Sequence, residues 1–222
     1  MSQWHWQHKV GMKMNELDWA QKYRPTKFDD LVLPPGLSTR LRKYVADKGG
    51  MSLMFTGKPG CGKSTVAKLI NPDSTYFINC TTDNSIDMVR GLARTCSSVT
   101  LDGERRVVVL DEADYLSKDA QAALRGVVES MSSVNDFIMT ANDPERLSDA
   151  IRSRFLPIPF DFFASEEFKQ NLLSRLRRIA TLEGHGDVSD AQLRAIIKQR
   201  FPDIRRMIKQ MQFDLMDAVA TT

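Results

Sequence analysis

Hydrophobic and polar positions change rhythm along the chain. From Leu17 to Phe160, short apolar runs alternate with stretches of helical period. The runs are 51–55 (MSLMF), 75–79 (TYFIN), 106–111 (RVVVLD), 136–141 (DFIMTA) and 155–160 (FLPIPF). Runs without in-and-out alternation suit strands covered on both faces, as in a parallel sheet. Helices fit between them. KSTVAKLI starts at Lys63 and must end by Pro72, and Ser117 caps a segment in which Ala120, Leu124, Val127 and Met131 recur at helical spacing. After Phe160 the strands stop. SEEFKQNLLSRLRRIATLEG carries acids in its first turn, basic residues later and a terminating Gly184. Ser189 and Gln192 have capping-box spacing, and Pro202 suits the first turn of a third helix with Ile204, Ile208, Met211 and Leu215 on one face. The pattern predicts an α/β fold: a parallel five-stranded sheet wound with helices, followed by a three-helix subdomain. The expected divisions are 1–16, 17–160 and 161–222. The first has no period, and its Trp4, His5, Trp6 and His8 read as part of an unstructured tail.

Composition narrows the classes. A chain of 222 residues holds one ordinary domain plus a small one, and its formal net charge is only +3. From Asp161 onward ten basic residues face nine acidic ones. No block of like charge announces nucleic acid, so such a role has to rest on local geometry. Cys61, Cys80 and Cys96 lack metal-site spacing and read as free thiols in a reducing compartment. No apolar run reaches membrane length and the first residues are polar. The expectation is a soluble cytoplasmic protein with no membrane partner.

The chemistry concentrates at two strand ends. Gly57-x4-Gly62-Lys63-Ser64, within FTGKPGCGKST, has P-loop spacing behind a strand and ahead of a helix. Its glycines let backbone N–H groups turn around an anion. Lys63 would reach the β- and γ-phosphates, Ser64 would place its hydroxyl on Mg²⁺, and the helix would point its positive end at the phosphates. About fifty residues on, RRVVVLDEAD ends in three carboxylates among four residues. In open α/β sheets, ligands bind at the carboxyl ends of the strands. Asp111 would hold Mg²⁺ and Glu112 would orient and deprotonate the attacking water. Asn142 would lie at the end of the next strand, beside both carboxylates, to bond the γ-phosphate or position the water. Arg152 and Arg154 follow a short helix. Either would serve as a finger toward a neighbouring subunit's nucleotide, or as a surface arginine in an ion pair.

Together the P-loop, LDEAD, TAND, SRF and the helical lid resemble an AAA+ ATPase, and more narrowly a sliding-clamp loader subunit. WAQKYRPTKFDDLV (19–32) is similar to the leading segment that covers the adenine in clamp-loader ATPases. NCTTDNSIDMVRG (79–91) resembles their helix facing the central DNA channel, AQAALRGVVES resembles the helix after the acidic strand, and FPDIRRMI (201–208) resembles the lid segment carrying a second sensor arginine. The likeness covers about 17–216 and runs toward the ATPase subunit of T-even-type phage clamp loaders.

The resemblance implies roles residue by residue. Ala20, Gln21, Lys22 and Tyr23 would line the nucleotide site, with Val32 against the base. Gly60, Cys61, Gly62, Lys63, Ser64 and Thr65 would wrap the phosphates of ATP. Ser64 and Asp111 would hold Mg²⁺, Glu112 would act on water, and Asn142 would be the first sensor. Arg205 would touch the γ-phosphate from the lid. Arg154 would act in trans, and Arg90 would meet a DNA phosphate. The implied partners are a sliding clamp, primer–template DNA and other loader subunits in a homo- or hetero-oligomeric ring, in the host cytoplasm if the chain is phage-encoded. Phe155 stands where the family has a cysteine, and Gly126 stands where cellular relatives carry an arginine. The sequence stops after the lid, where loader subunits continue into a collar, so the collar is expected to be absent, to come from another chain or to belong to a longer product. The rival readings are a helicase loader or Holliday-junction motor, and a nonhydrolysing nucleotide-binding adaptor.

Overall fold

Five parallel strands form one sheet in the order β2-β3-β4-β1-β5. They are β1 (Leu53–Thr56), β2 (Thr75–Asn79), β3 (Arg106–Asp111), β4 (Asn135–Ala141) and β5 (Leu156–Pro159). The computed structural model describes residues 18–47, 49–97, 105–160 and 165–219, so the expected tail at 1–16 lies outside the described residues. The chain divides into two compact units, Pro25–Leu172 and Met1–Arg24 with Leu173–Thr222. The segment around Trp19 thus groups with the C-terminal helices.

In the first unit, strand alternation builds two cores. Leu53 and Phe55 of β1, Val107 and Val109 of β3 and Ile138 of β4 face α2 (Pro35–Ala46) and α3 (Lys63–Leu69), meeting Leu37, Leu41, Val66 and Ala67. Met54, Val108, Leu110, Phe137, Met139 and Ala141 point the other way. They meet Val89 and Leu92 of α4 (Ile86–Ser97) and Leu124 and Val128 of α5 (Lys118–Met131). That is why the strands read as unbroken apolar runs. Ser117 caps α5 by accepting from the Ala120 N–H at 3.1 Å. The first run enters the ladder later than its apolar start: Met51 is exposed, and its carbonyl accepts from the Tyr44 hydroxyl at 2.9 Å.

The second unit packs α1 (Trp19–Lys22) with the C-terminal part of α7 (Glu166–Leu182), α8 (Asp190–Arg200) and α9 (Ile204–Val219). Trp19, Leu176, Ile179, Leu193, Ile197, Met207, Ile208 and Met211 are buried. Past α7, the Gly184 N–H donates to Thr181 and the His185 N–H to Ala180, with Gly184 at φ 87°. This is the Schellman closure that a glycine after the last turn permits. Ser189 and Gln192 form the expected capping box. Pro202 lies outside α9 rather than in its first turn. Asp203 follows it and takes the cap, accepting from the Arg206 N–H at 2.8 Å.

Candidate functional site

The carboxyl ends of β1, β3 and β4 bring the chemistry-bearing residues of the sheet unit to one edge. After β1 the loop turns through Gly57, Gly60 and Gly62 at φ 135°, 80° and 101°, a region that side chains with a β-carbon rarely enter. At Gly62 an added β-carbon would meet no atom within 4 Å, so the backbone angle alone calls for glycine there. Gly62 precedes α3, whose first residue is Lys63.

Lys63 is 6% exposed. Its Nζ donates to Gly57 O at 2.6 Å, to Lys58 O at 3.0 Å and to Asn142 Oδ1 at 2.9 Å. Three neutral oxygens thus take up the three protons of the ammonium. None of them is a carboxylate, so the positive charge is solvated by dipoles without being neutralised, and an anion is attracted to it. Asn142, at the end of β4, reaches the P-loop lysine directly.

Asp111 ends β3 and Glu112 follows in a left-handed conformation, φ 55° and ψ 47°. It is the one non-glycine residue with positive φ among the described residues. In continued strand, Asp111 and Glu112 would point to opposite faces; leaving the extended region at 112 breaks that alternation. Two partners that the sequence reading missed support this corner. Thr140 Oγ1 donates to Asp111 Oδ1 at 2.7 Å and accepts from the Glu112 N–H at 2.9 Å. Asp114, buried, takes the Asp143 N–H on Oδ2 at 3.1 Å and so ties the acidic loop to the loop carrying Asn142. The signal for Thr140 was a lone hydroxyl in the apolar second half of β4, two positions before Asn142. Cys80, beside this corner, is buried and its thiol is pushed up to about 12, by burial first and then by Asp111 and Asp114.

The remaining expected residues of this unit stand as follows. Cys61 is buried within the loop, and its thiol donates to Lys58 O at 2.9 Å. Ser64 and Thr65 lie in the first turn of α3, and Val32 is half-buried beside buried Leu33. Arg90, on α4, is exposed and paired with Asp87 at 2.8 Å. Arg154 pairs with Glu129 of α5 and also donates to Ala150 O. The ion pair of the two sequence alternatives is therefore present within the chain. Arg152 pairs with Glu145 and Asp149.

In the helical unit, Lys22 bridges to Glu183 at 2.6 Å, the Tyr23 hydroxyl donates to the same carboxylate, and Arg175 donates to Tyr23 O at 2.5 Å. Burial would raise the Glu183 carboxyl, but hydrogen bonds from Lys22 and Tyr23 outweigh it and hold the group below its ordinary value. Ala20 is half-buried, Gln21 is exposed, and Arg205 is exposed on the first turn of α9.

A cavity of about 380 Å³ lined by Tyr44, Arg105 and Asp136 among others sits at the amino ends of the strands, the wrong edge for ligand chemistry in such a sheet. Ser64 and Asp111 offer a hydroxyl and a carboxylate, the hard oxygen donors Mg²⁺ accepts. No group of three or more His, Cys, Asp or Glu side chains able to hold a metal occurs among the described residues. No helix among the described residues is long and apolar enough to cross a membrane.

A parallel sheet in this order, with a P-loop after β1, paired carboxylates after β3 and a polar side chain after β4, is the architecture of P-loop ATPases. The family of ATPases associated with various cellular activities (AAA) matches residues 53–160, and the chain belongs to it. Within that family its relatives are replication factor C small subunits. It is 34% identical over 207 residues to that of Aeropyrum pernix, covering 89% of this chain and 62% of the relative. It is 33% identical over 219 residues to replication factor C small subunit 2 of Pyrobaculum aerophilum, covering 94% of this chain and 67% of the relative. The chain thus spans less than two thirds of the first relative's length. Among solved structures it resembles the Thermotoga maritima RuvB Holliday junction branch migration motor. There the TM-score is 0.70 at 20% identity, over 89% of this chain and 67% of that one, a likeness of fold.

Proposed function

We propose that this chain is the ATP-hydrolysing subunit of a phage-type DNA sliding-clamp loader. The observation that carries hydrolysis is the corner at which Thr140 holds Asp111 and Glu112 together while Asn142 reaches Lys63. Kinship with replication factor C small subunits selects the clamp loader among AAA machines.

In this reading Gly60 to Thr65 wrap the phosphates, and Lys63 exchanges its carbonyl partners for phosphate oxygens. Ser64 and Asp111 would hold Mg²⁺, which supplies charge neutralisation on the β- and γ-phosphates. Glu112 accepts a proton from the attacking water, and Asn142 orients that water or the γ-phosphate. Val32 contacts the adenine. Arg154 leaves Glu129 to complete a neighbouring subunit's site, an effect of about 10³–10⁵ in rate where arginine fingers act. Arg90 meets a DNA phosphate, and exposed helix N-terminal amides share that task. ATP binding drives the grip on an open clamp; hydrolysis times its release on primer–template DNA.

The test is steady-state ATP turnover with the cognate clamp, neighbouring loader subunits and either primer–template or four-way-junction DNA. Stimulation by clamp and primer–template together, lost in Arg154→Ala, is the expected result. Stimulation by the junction and not by the clamp would replace the clamp-loader reading with a junction motor.

A further inference from the structure

Proton inventory at the acidic corner assigns a role to a residue outside the P-loop and the carboxylate pair. A backbone N–H can only donate, so at its 2.9 Å contact with Glu112 N the Thr140 hydroxyl oxygen must accept. That hydroxyl has one proton, and the remaining close partner is Asp111 Oδ1 at 2.7 Å. The proton therefore goes to Asp111, whose Oδ1 accepts. The direction of both bonds is fixed by chemistry.

The surroundings hold this arrangement in place. Thr140 is 1% exposed, so water does not compete for its oxygen. Strand parity puts it on the face of Ile138, the face that packs on α3 behind the P-loop. The β3–β4 register pairs Leu110 with Met139, and one step further sets Asp111 opposite Thr140. The left-handed conformation of Glu112 is strained in a non-glycine residue. The bond from its N–H to Thr140 offsets part of that strain. Without a partner, that half-buried N–H would favour relaxing the corner back toward extended strand.

We infer that Thr140 is a positioning residue that sets both carboxylates at once, presenting Asp111 to the metal through its other oxygen and fixing the turn that aims Glu112. The inference rests on the proposed ATPase reading for what the carboxylates do, and on geometry alone for how they are held. Thr140→Val removes the hydroxyl with little change in shape, whereas Thr140→Ser keeps it.

Three readouts on the intact chain test it. Amide exchange at Glu112 is expected to be slow in wild type and Thr140→Ser and at least tenfold faster in Thr140→Val. Mn²⁺ binding in the presence of ADP, read by electron paramagnetic resonance, is expected to weaken about tenfold in Thr140→Val alone. ATP turnover is expected to fall at least tenfold in kcat for Thr140→Val with KM within about twofold, and to be rescued by serine. Equal Glu112 exchange in all three proteins overturns the inference, whatever the turnover. Serine as defective as valine also overturns it, because the side chain's shape would then matter rather than its hydroxyl. Slow, hydroxyl-dependent exchange in a protein that hydrolyses no ATP overturns the functional reading and leaves the positioning role standing.

Discussion

Two buried aspartates sit at opposite edges of the same sheet, and their surroundings differ in kind. Asp136, at the amino end of β4, is 3% exposed and charge-paired: Arg105 Nη2 lies 2.7 Å from Oδ1, Arg105 Nε donates to it at 3.0 Å and the Gly50 N–H at 2.9 Å. The Arg105 guanidinium also donates to the carbonyls of Ser132, Ser133 and Asn135. Asp111, at the carboxyl end of β3, is 7% exposed and, among the described residues, receives one side-chain hydrogen bond, from a neutral hydroxyl. A carboxylate neutralised by arginine and bonded by a backbone N–H ties the chain together. One held by a single hydroxyl beside a lysine that has no carboxylate among its partners keeps charge and an oxygen for something else. Burial alone does not distinguish a structural acid from a working one; the number and charge of the donors does.

Replacing each aspartate should separate the two roles. Asp136→Ala leaves Arg105 facing a half-buried void and is expected to cost about 3–5 kcal/mol in urea unfolding. Asp111→Asn, by contrast, should change stability by less than about 1 kcal/mol while abolishing metal-dependent turnover. Equal destabilisation by both would break the comparison. Gly49→Ala sharpens the same edge. A β-carbon there would stand 1.8 Å from Asp136 Oδ2 on a backbone at φ 78°, so a loss of roughly 1–3 kcal/mol is expected; the part due to the clash should disappear in an Asp136→Ala background, leaving the backbone strain.

The smallest effect belongs to the helical unit, where Glu183 is shared by Lys22 and Tyr23. Its carboxyl is lowered in the folded chain, so its contribution is present above the unfolded carboxylate value and is lost as pH falls through the folded one. Glu183→Gln should therefore cost about 1 kcal/mol near neutral pH, and the difference from wild type should shrink in acid below roughly pH 4. A difference independent of pH would mean that packing, not charge, is what Glu183 supplies.

The β3 run from Arg106 to Asp111 was legible to the residue, because a run buried on both faces leaves no alternation to misread. Ser117 and the Ser189–Gln192 box were legible because cap chemistry is local. The places of Asp111, Glu112 and Asn142 were legible because strand ends can be counted, and that of Lys63 because it opens the helix after the glycine loop. Thr140 was not, since a threonine in a strand is ordinary and only the register shows it opposite Asp111. Arg105 with Asp136, and Arg154 with Glu129, are separated by 31 and 25 residues, and no periodicity links such partners. The helix at Trp19 was placed with the sheet by sequence order, but it groups with the C-terminal helices, where its N–H donates to Gln212 at 2.9 Å across 193 residues.

The central claim is that Glu112 acts on water at a site that binds ATP without it. The direct measurement compares ATP binding and turnover in wild type and Glu112→Gln, with clamp and primer–template DNA present. The account predicts ATP affinity within about threefold and turnover reduced at least 100-fold, the size expected when the group that activates the nucleophile is lost. Turnover in Glu112→Gln equal to wild type would contradict it.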